Sequence, residues 1–244
     1  MRQLKLAGLT VRLSGGEDGL GGGDGPLLLL MHGYGAPGDD LVAIGESLRL
    51  PRSVRLAFPE APLSLSGNGD GWRAPFDPRA WWQIDVPQLQ VWTATGQHAR
   101  LRDSYPVGLD QARKHVIELL DALQEELDVS SQQIAIGGFS QGAILACDVV
   151  LHEPRPFAGV IVLSGSLVGG ERWAKLFEAR RGTRVFQSHG TEDPILPYSL
   201  AEDLHDLWHT SGWEGEFIAF PGGHGIGPRA MQGLDGFLTE LLGS

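Results

Sequence analysis

Five consecutive apolar residues, Leu27 to Met31, constrain this chain more than any other stretch. An unbroken apolar run of that length fits a strand covered on both faces, and such strands belong to parallel sheets flanked by helices. Similar runs recur at Val54–Phe58, Ile134–Gly137, Val160–Leu163, Val185–Gln187 and Phe217–Phe220, and Leu4–Leu13 reads as a first strand. Helical patterns lie between them. Ala112, Val116, Leu119, Leu120, Leu123 and Leu127 repeat at three- and four-residue steps and make one apolar face. Leu234, Phe237, Leu238, Leu241 and Leu242 do the same in a last helix, which Pro228 opens at its first turn. Strand and helix in alternation predict an α/β fold, a mostly parallel sheet with helices on both faces.

The 244 residues fit one such domain, 1–244, and no linker or internal repeat interrupts it. Two stretches break the rhythm. Residues 15–25 are mostly glycine with acidic residues; they share the composition of glycine–aspartate calcium repeats but lack the nonapeptide period, and read as a flexible connection. From Pro59 to Pro106 no period is sustained, and Trp72, Trp81, Trp82 and Trp92 are scattered among prolines and glycines. A long irregular segment inside a compact domain reads as a functional loop or lid.

Chemistry concentrates at Gly138-Phe139-Ser140-Gln141-Gly142. An apolar run, Ile134-Ala135-Ile136, precedes it, and a helical pattern with Ile144, Leu145, Val149 and Leu151 follows. That is the strand–turn–helix setting of a nucleophile elbow in an α/β-hydrolase fold, where glycines two residues to either side clear space for a tight turn. A serine nucleophile needs a base, and the base an orienting acid, in the chain order Ser, Asp or Glu, His. His224, in Pro221-Gly222-Gly223-His224-Gly225 just after the last strand, is the best base among the four histidines that follow Ser140. The acid should come from the loop after the preceding strand, where Glu192 and Asp193 are both available; spacing barely separates them, and Asp193 is preferred. Oxyanion donors are expected at the backbone N–H groups of Tyr34 and Gln141, with His32 holding its loop.

Other candidates carry less. His205 and His209 stand one helical turn apart, as in a zinc-protease helix, but aspartate replaces the usual glutamate and no third ligand is evident. They read as an exposed helix face. Cys147, the lone cysteine, reads as a small buried residue; it permits no internal disulfide and suits a reducing compartment. No phosphate loop of the G-x-x-x-x-G-K-[ST] type is present, and no cofactor or metal is expected. A net charge of −11 argues against nucleic acid and anionic membranes as partners. The start of the chain lacks a signal-peptide pattern, and no apolar run approaches the roughly 20 residues that span a bilayer, so a soluble cytoplasmic protein is expected.

Together these residues resemble the phospholipase/carboxylesterase family, which includes acyl-protein thioesterases and bacterial carboxylesterases. The resemblance covers most of the chain and rests on Met31-His32-Gly33-Tyr34-Gly35, Phe58-Pro59-Glu60-Ala61-Pro62, Trp81-Trp82-Gln83-Ile84-Asp85, the elbow, His189-Gly190-Thr191-Glu192-Asp193 and Gly223-His224. It implies a Ser140–Asp193–His224 triad, oxyanion donors at Tyr34 and Gln141, and no cofactor. Tyr34 stands where the family usually has an aliphatic residue, Gln83 where an acidic one is common, and residues 64–78 look like an elaboration. The expected activity is hydrolysis of small-molecule carboxylic esters with short to medium acyl chains, with Trp72, Trp81 and Trp82 around the substrate. Thioester or lysophospholipid cleavage by the same residues follows it, and a non-catalytic ligand-binding module is the alternative of another class. The oligomeric state is left open.

Overall fold

A computed structural model describes residues 1–66 and 77–243. The chain begins with a hairpin, β1 (Arg2–Leu6) and β2 (Leu9–Gly16), paired antiparallel. The continuous strand expected over Leu4–Leu13 is therefore two. Ala7 and Gly8 both take positive φ (47° and 79°), the two-residue turn geometry that matches strand twist. The glycine-rich connection that follows is more regular than its composition predicts. It contains a short strand, β3 (Leu20–Gly22), held by the Asp18 carboxylate, which accepts the Leu20 and Gly22 N–H groups at 2.7 and 2.9 Å.

The apolar run forms β4 (Leu27–Met31), buried at every position. Then come α1 (Asp40–Ser47), β5 (Arg55–Pro59), a small antiparallel pair β6 (Leu63–Ser64) and β7 (Arg79–Ala80), and two short helices, α2 (Val86–Ala94) and α3 (His98–Asp103). After these run α4 (Leu109–Leu127), β8 (Ile134–Phe139), α5 (Gln141–His152), β9 (Gly159–Leu163), α6 (Gly170–Phe177), β10 (Arg184–Gly190), α7 (Tyr198–Thr210), β11 (Glu214–Phe220) and α8 (Pro228–Leu242). The main sheet runs β1-β2-β5-β4-β8-β9-β10-β11, with β3 beside β2. From β5 to β11 neighbouring strands are parallel, and β1 and β2 extend it antiparallel.

Period-two alternation divides the core between the two faces. Leu27, Leu29 and Met31 of β4, with Ile134, Ile136, Val160 and Val162, join one cluster with α4, α5, α6 and α7. Leu28, Leu30, Ala135, Ile161, Leu163 and Phe186 point the other way, onto α1 and α8. The α4 stripe is buried as its spacing predicts, and Leu109 joins it one turn earlier. Truncating one of its leucines, such as Leu119, to alanine should cost about 2–5 kcal/mol.

The segment after Pro59 differs in kind. Asp85 caps α2 by accepting the Gln88 N–H at 2.9 Å, and Pro87 sits in its first turn, yet no residue of α2 is buried. Helix α3 buries only Leu101. These helices lack the apolar stripe that makes a helix visible in sequence. No helix among the described residues is long and apolar enough to cross a membrane.

Candidate active site

The site is built at the carboxyl ends of β8, β10 and β11. Ser140 stands between β8 and α5 with φ 52° and ψ −115°, a conformation that costs a non-glycine residue about 1–3 kcal/mol and persists only where its surroundings enforce it. They do so here: the Ser140 N–H donates to the Leu163 carbonyl at 2.9 Å, and the Ser140 carbonyl accepts from Ala143 and Ile144. A Cβ on Gly138 would lie 2.3 Å from the Met31 carbonyl oxygen, and one on Gly142 only 2.0 Å from the same atom. Both glycines are required by this close approach of β4.

The loops after β10 and β11 bring the other two groups. His224 Nε2 is 2.8 Å from Ser140 Oγ, and His224 Nδ1 is 2.7 Å from Asp193 Oδ2. Thr191 N–H donates to the Phe220 carbonyl and Glu192 N–H to that of Gly222, which ties the two loops together. Ser164 Oγ donates to the Gly225 carbonyl at 2.7 Å, and the Phe139 ring lies 4.9 Å from the His224 ring. Asp193 Oδ1 accepts the Ile195 and Leu196 N–H groups. Burial works against its charge, but hydrogen bonds from His189 and His224 outweigh it and hold the carboxyl below the usual carboxylate range. Glu192 is exposed, and it is Asp193 that meets the imidazole.

Gln141 opens α5, so its N–H has no helical carbonyl to bond. Among the described residues neither it nor the Tyr34 N–H donates to another group, which leaves both free to serve as oxyanion donors. His32 holds the Tyr34 loop: its Nε2 accepts the Ala61 N–H at 3.0 Å, which leaves Nδ1 to donate to the Gly33 carbonyl at 2.8 Å. Burial pushes its pKa down to about 4, so it stays neutral. The side chain of Gln141 has a task that its position alone does not reveal. Its Oε1 accepts the Trp81 N–H at 2.9 Å and its Nε2 donates to the Trp82 carbonyl at 2.8 Å, bolting the β7–α2 segment to the elbow.

The tryptophans separate. Trp82 lines a cavity of about 340 Å³ with Leu89, Trp92, Ile144, Val168 and Leu196. Trp81 packs behind it, 2% exposed, its indole N–H donated to the His32 carbonyl. Trp72 lies outside the described residues. Cavity and triad are adjacent along the chain: Ile144 is in the first turn after Ser140, and Leu196 follows Asp193. Tyr34 Oη lies 3.5 Å from Gln83 Oε1, and Gln83 lines the cavity. A wider, open cleft of about 1120 Å³ between α3, α6 and α7 carries both signs of charge and none of the triad residues. His205 and His209 stack ring on ring on α7, His205 also against Phe217. No cluster of three potential metal ligands occurs among the described residues. Cys147 is buried, which raises its thiol pKa and leaves it inert.

Residues 23–242 match the family model described as phospholipase/carboxylesterase. Acyl-protein thioesterase 1 of Neurospora crassa is 28% identical over 229 residues, covering 88% of this chain and 86% of the relative. A probable carboxylesterase of Oryza sativa subsp. japonica is 28% identical over 220 residues, 88% of this chain and 77% of the relative. Among solved structures, esterase PE8 superimposes with a TM-score of 0.77 at 25% identity, covering 96% of this chain and 99% of the other. The chain belongs to the phospholipase/carboxylesterase family of α/β-hydrolases.

Proposed function

We propose that the protein is a serine carboxylesterase in which Ser140, His224 and Asp193 carry the reaction. The observation that supports this most is the unbroken relay from Ser140 Oγ through His224 to Asp193, at 2.8 and 2.7 Å. His224 Nε2 takes the Ser140 proton as Oγ attacks the ester carbonyl carbon. The carbonyl oxygen becomes an oxyanion, held by the Tyr34 and Gln141 N–H groups. Collapse breaks the bond to the alcohol, which leaves with the proton from Nε2. Water then attacks the acyl-serine by the same steps, giving the carboxylic acid and free Ser140. Asp193 fixes the tautomer with hydrogen on Nδ1 and stabilises the imidazolium that forms. Thioester cleavage by the same steps is the second reading, favoured by the thioesterase name of the Neurospora relative.

The acyl group would occupy the cavity walled by Trp82 and Trp92, with Ile144 and Leu196 beside the triad. Each methylene that enters adds about 0.8 kcal/mol, so rates should climb with chain length until the wall is reached. We place the stop at short to medium chains and the protein in the cytoplasm, in keeping with its single cysteine. Comparing kcat/KM for p-nitrophenyl esters from acetate to palmitate, in the wild type and in Trp82→Ala, tests the assignment. The optimum should shift to longer chains in the variant. A rate that rises steadily to palmitate, or an unchanged profile in a folded variant, would contradict it.

A further inference from the structure

Asp193 serves two imidazoles. His189, at the end of β10 and fully buried, places its Nε2 3.1 Å from Asp193 Oδ2, the same oxygen that meets His224 Nδ1 at 2.7 Å. That Nε2 is also 2.9 Å from the Leu196 carbonyl oxygen. The opposite ring nitrogen, Nδ1, is buried and has no hydrogen-bond partner among the described residues.

These contacts fix the tautomer. A bare Nε2 would set a lone pair against two acceptors, a carbonyl and a carboxylate, with no donor between them. With hydrogen on Nε2 both acceptors are served, and the ring's lone pair falls on Nδ1, which lacks a partner among the described residues. Leaving Nδ1 without a donor costs free energy, because a buried acceptor is better paired. The cost is offset at the other end of the ring, by a bond to a charged carboxylate.

We propose that His189 is a positioning residue that donates its Nε2–H to Asp193 Oδ2 and thereby moderates the carboxylate's hold on His224. The proposal rests on the triad roles given above. Asp193 Oδ2 divides its electron density between two N–H donors, while Oδ1 is occupied by the Ile195 and Leu196 amides. Every acceptor direction of the carboxylate is therefore used, and its rotamer is fixed. Removing the His189 donor would concentrate Oδ2 on His224. The imidazolium would be held more tightly, and neutral His224, the form that accepts the serine proton, would appear only at higher pH. The titratable groups facing this relay are Ser140 from the elbow, Asp193 and His189 from the end of β10 and its loop, and Tyr198 from α7, whose ring centroid lies 6.2 Å from that of His189.

The test compares pH profiles of kcat/KM on p-nitrophenyl butyrate for the wild type, His189→Leu and His189→Gln. In His189→Leu the acid limb should move up by about one pH unit, a tenfold change in the protonation equilibrium, with KM nearly unchanged. His189→Gln restores an N–H donor near the Nε2 position and should return the limb towards the wild type. A folded His189→Leu whose acid limb stays at the wild-type position would overturn the proposal, whatever happens to its kcat. Should that variant not fold, the wild type decides: imidazole nitrogen NMR should find His189 with hydrogen on Nε2 throughout the range in which His224 titrates. Hydrogen on Nδ1 would overturn the proposal. Ser140→Ala separates the two failures: full activity there would remove the triad itself, whereas an inactive Ser140→Ala together with an unmoved acid limb in His189→Leu removes only the role of His189.

Discussion

The floor and the roof of this site are built by opposite means. In the floor, every residue of α5 from Gln141 to Leu151 is buried, and the strand before it is buried from Ile134 to Gly138. In the roof, α2 buries nothing and exposes Val91, and Val107 beyond α3 is almost wholly exposed. The floor can therefore hold Ser140 in a costly backbone conformation, because neighbouring strands and a helix over-determine it. The roof is tied down at a few points, chiefly by the Gln141 side chain and by the Trp81 indole N–H on the His32 carbonyl. The proposed chemistry thus lies where the chain is most buried, and the proposed acyl selection where few contacts resist change.

The contrast can be broken in several places. The largest effect belongs to the floor: Ser140→Ala should lower kcat on an activated ester by on the order of 10⁶-fold without altering the melting transition. An active variant would show that another group attacks. Next, Asp193→Asn should cost about 10⁴-fold, because the amide reverses the histidine tautomer, while the exposed Glu192→Gln should stay close to wild type. The opposite ranking would exchange the two carboxylates' roles.

A smaller effect concerns stability. An unfolded chain protonates His32 near the ordinary histidine value of 6.5, while the folded protein resists until about 4. Below pH 6.5 the unfolded state binds the extra proton, so stability should fall as pH drops and level off near 4. The loss is on the order of 3 kcal/mol and should shrink in His32→Gln. Denaturant midpoints across that range check it, and an unchanged slope in the variant would show that His32 titrates freely. The roof should respond least: Trp82→Ala should redistribute rates among acyl chains by a few-fold, by the loss of a few methylene contacts, and leave acetate hydrolysis nearly as it was.

The difference between floor and roof also decided what could be read from sequence. The parallel strands, the α4 stripe and the elbow follow local rules: unbroken apolar runs, a three- and four-residue step, glycines flanking a serine. His224 is recognisable because it lies just beyond the last strand, whereas position after β10 narrows the acid only to Glu192 or Asp193 and the preference for Asp193 is strengthened by the family resemblance. The hairpin at Ala7-Gly8 was hidden because its two strands form one near-continuous stretch, and alanine does not mark a turn. Helices α2 and α3 have no apolar stripe to show them. The two contacts that tie the site together were illegible for another reason. The Gln141 amide reaches residues about 60 positions away, and His189 reaches Asp193 by a side-chain direction that only the folded β10 loop defines.

The central claim is that Ser140 is a nucleophile activated by His224 and Asp193. Labelling the native protein with a fluorophosphonate probe and locating the adduct by peptide mass spectrometry tests it most directly. The account predicts a single stoichiometric adduct on Ser140, formed far more slowly in His224→Ala and Asp193→Asn. No adduct on Ser140 in folded wild-type protein would contradict it and would favour a ligand-binding module with the same fold.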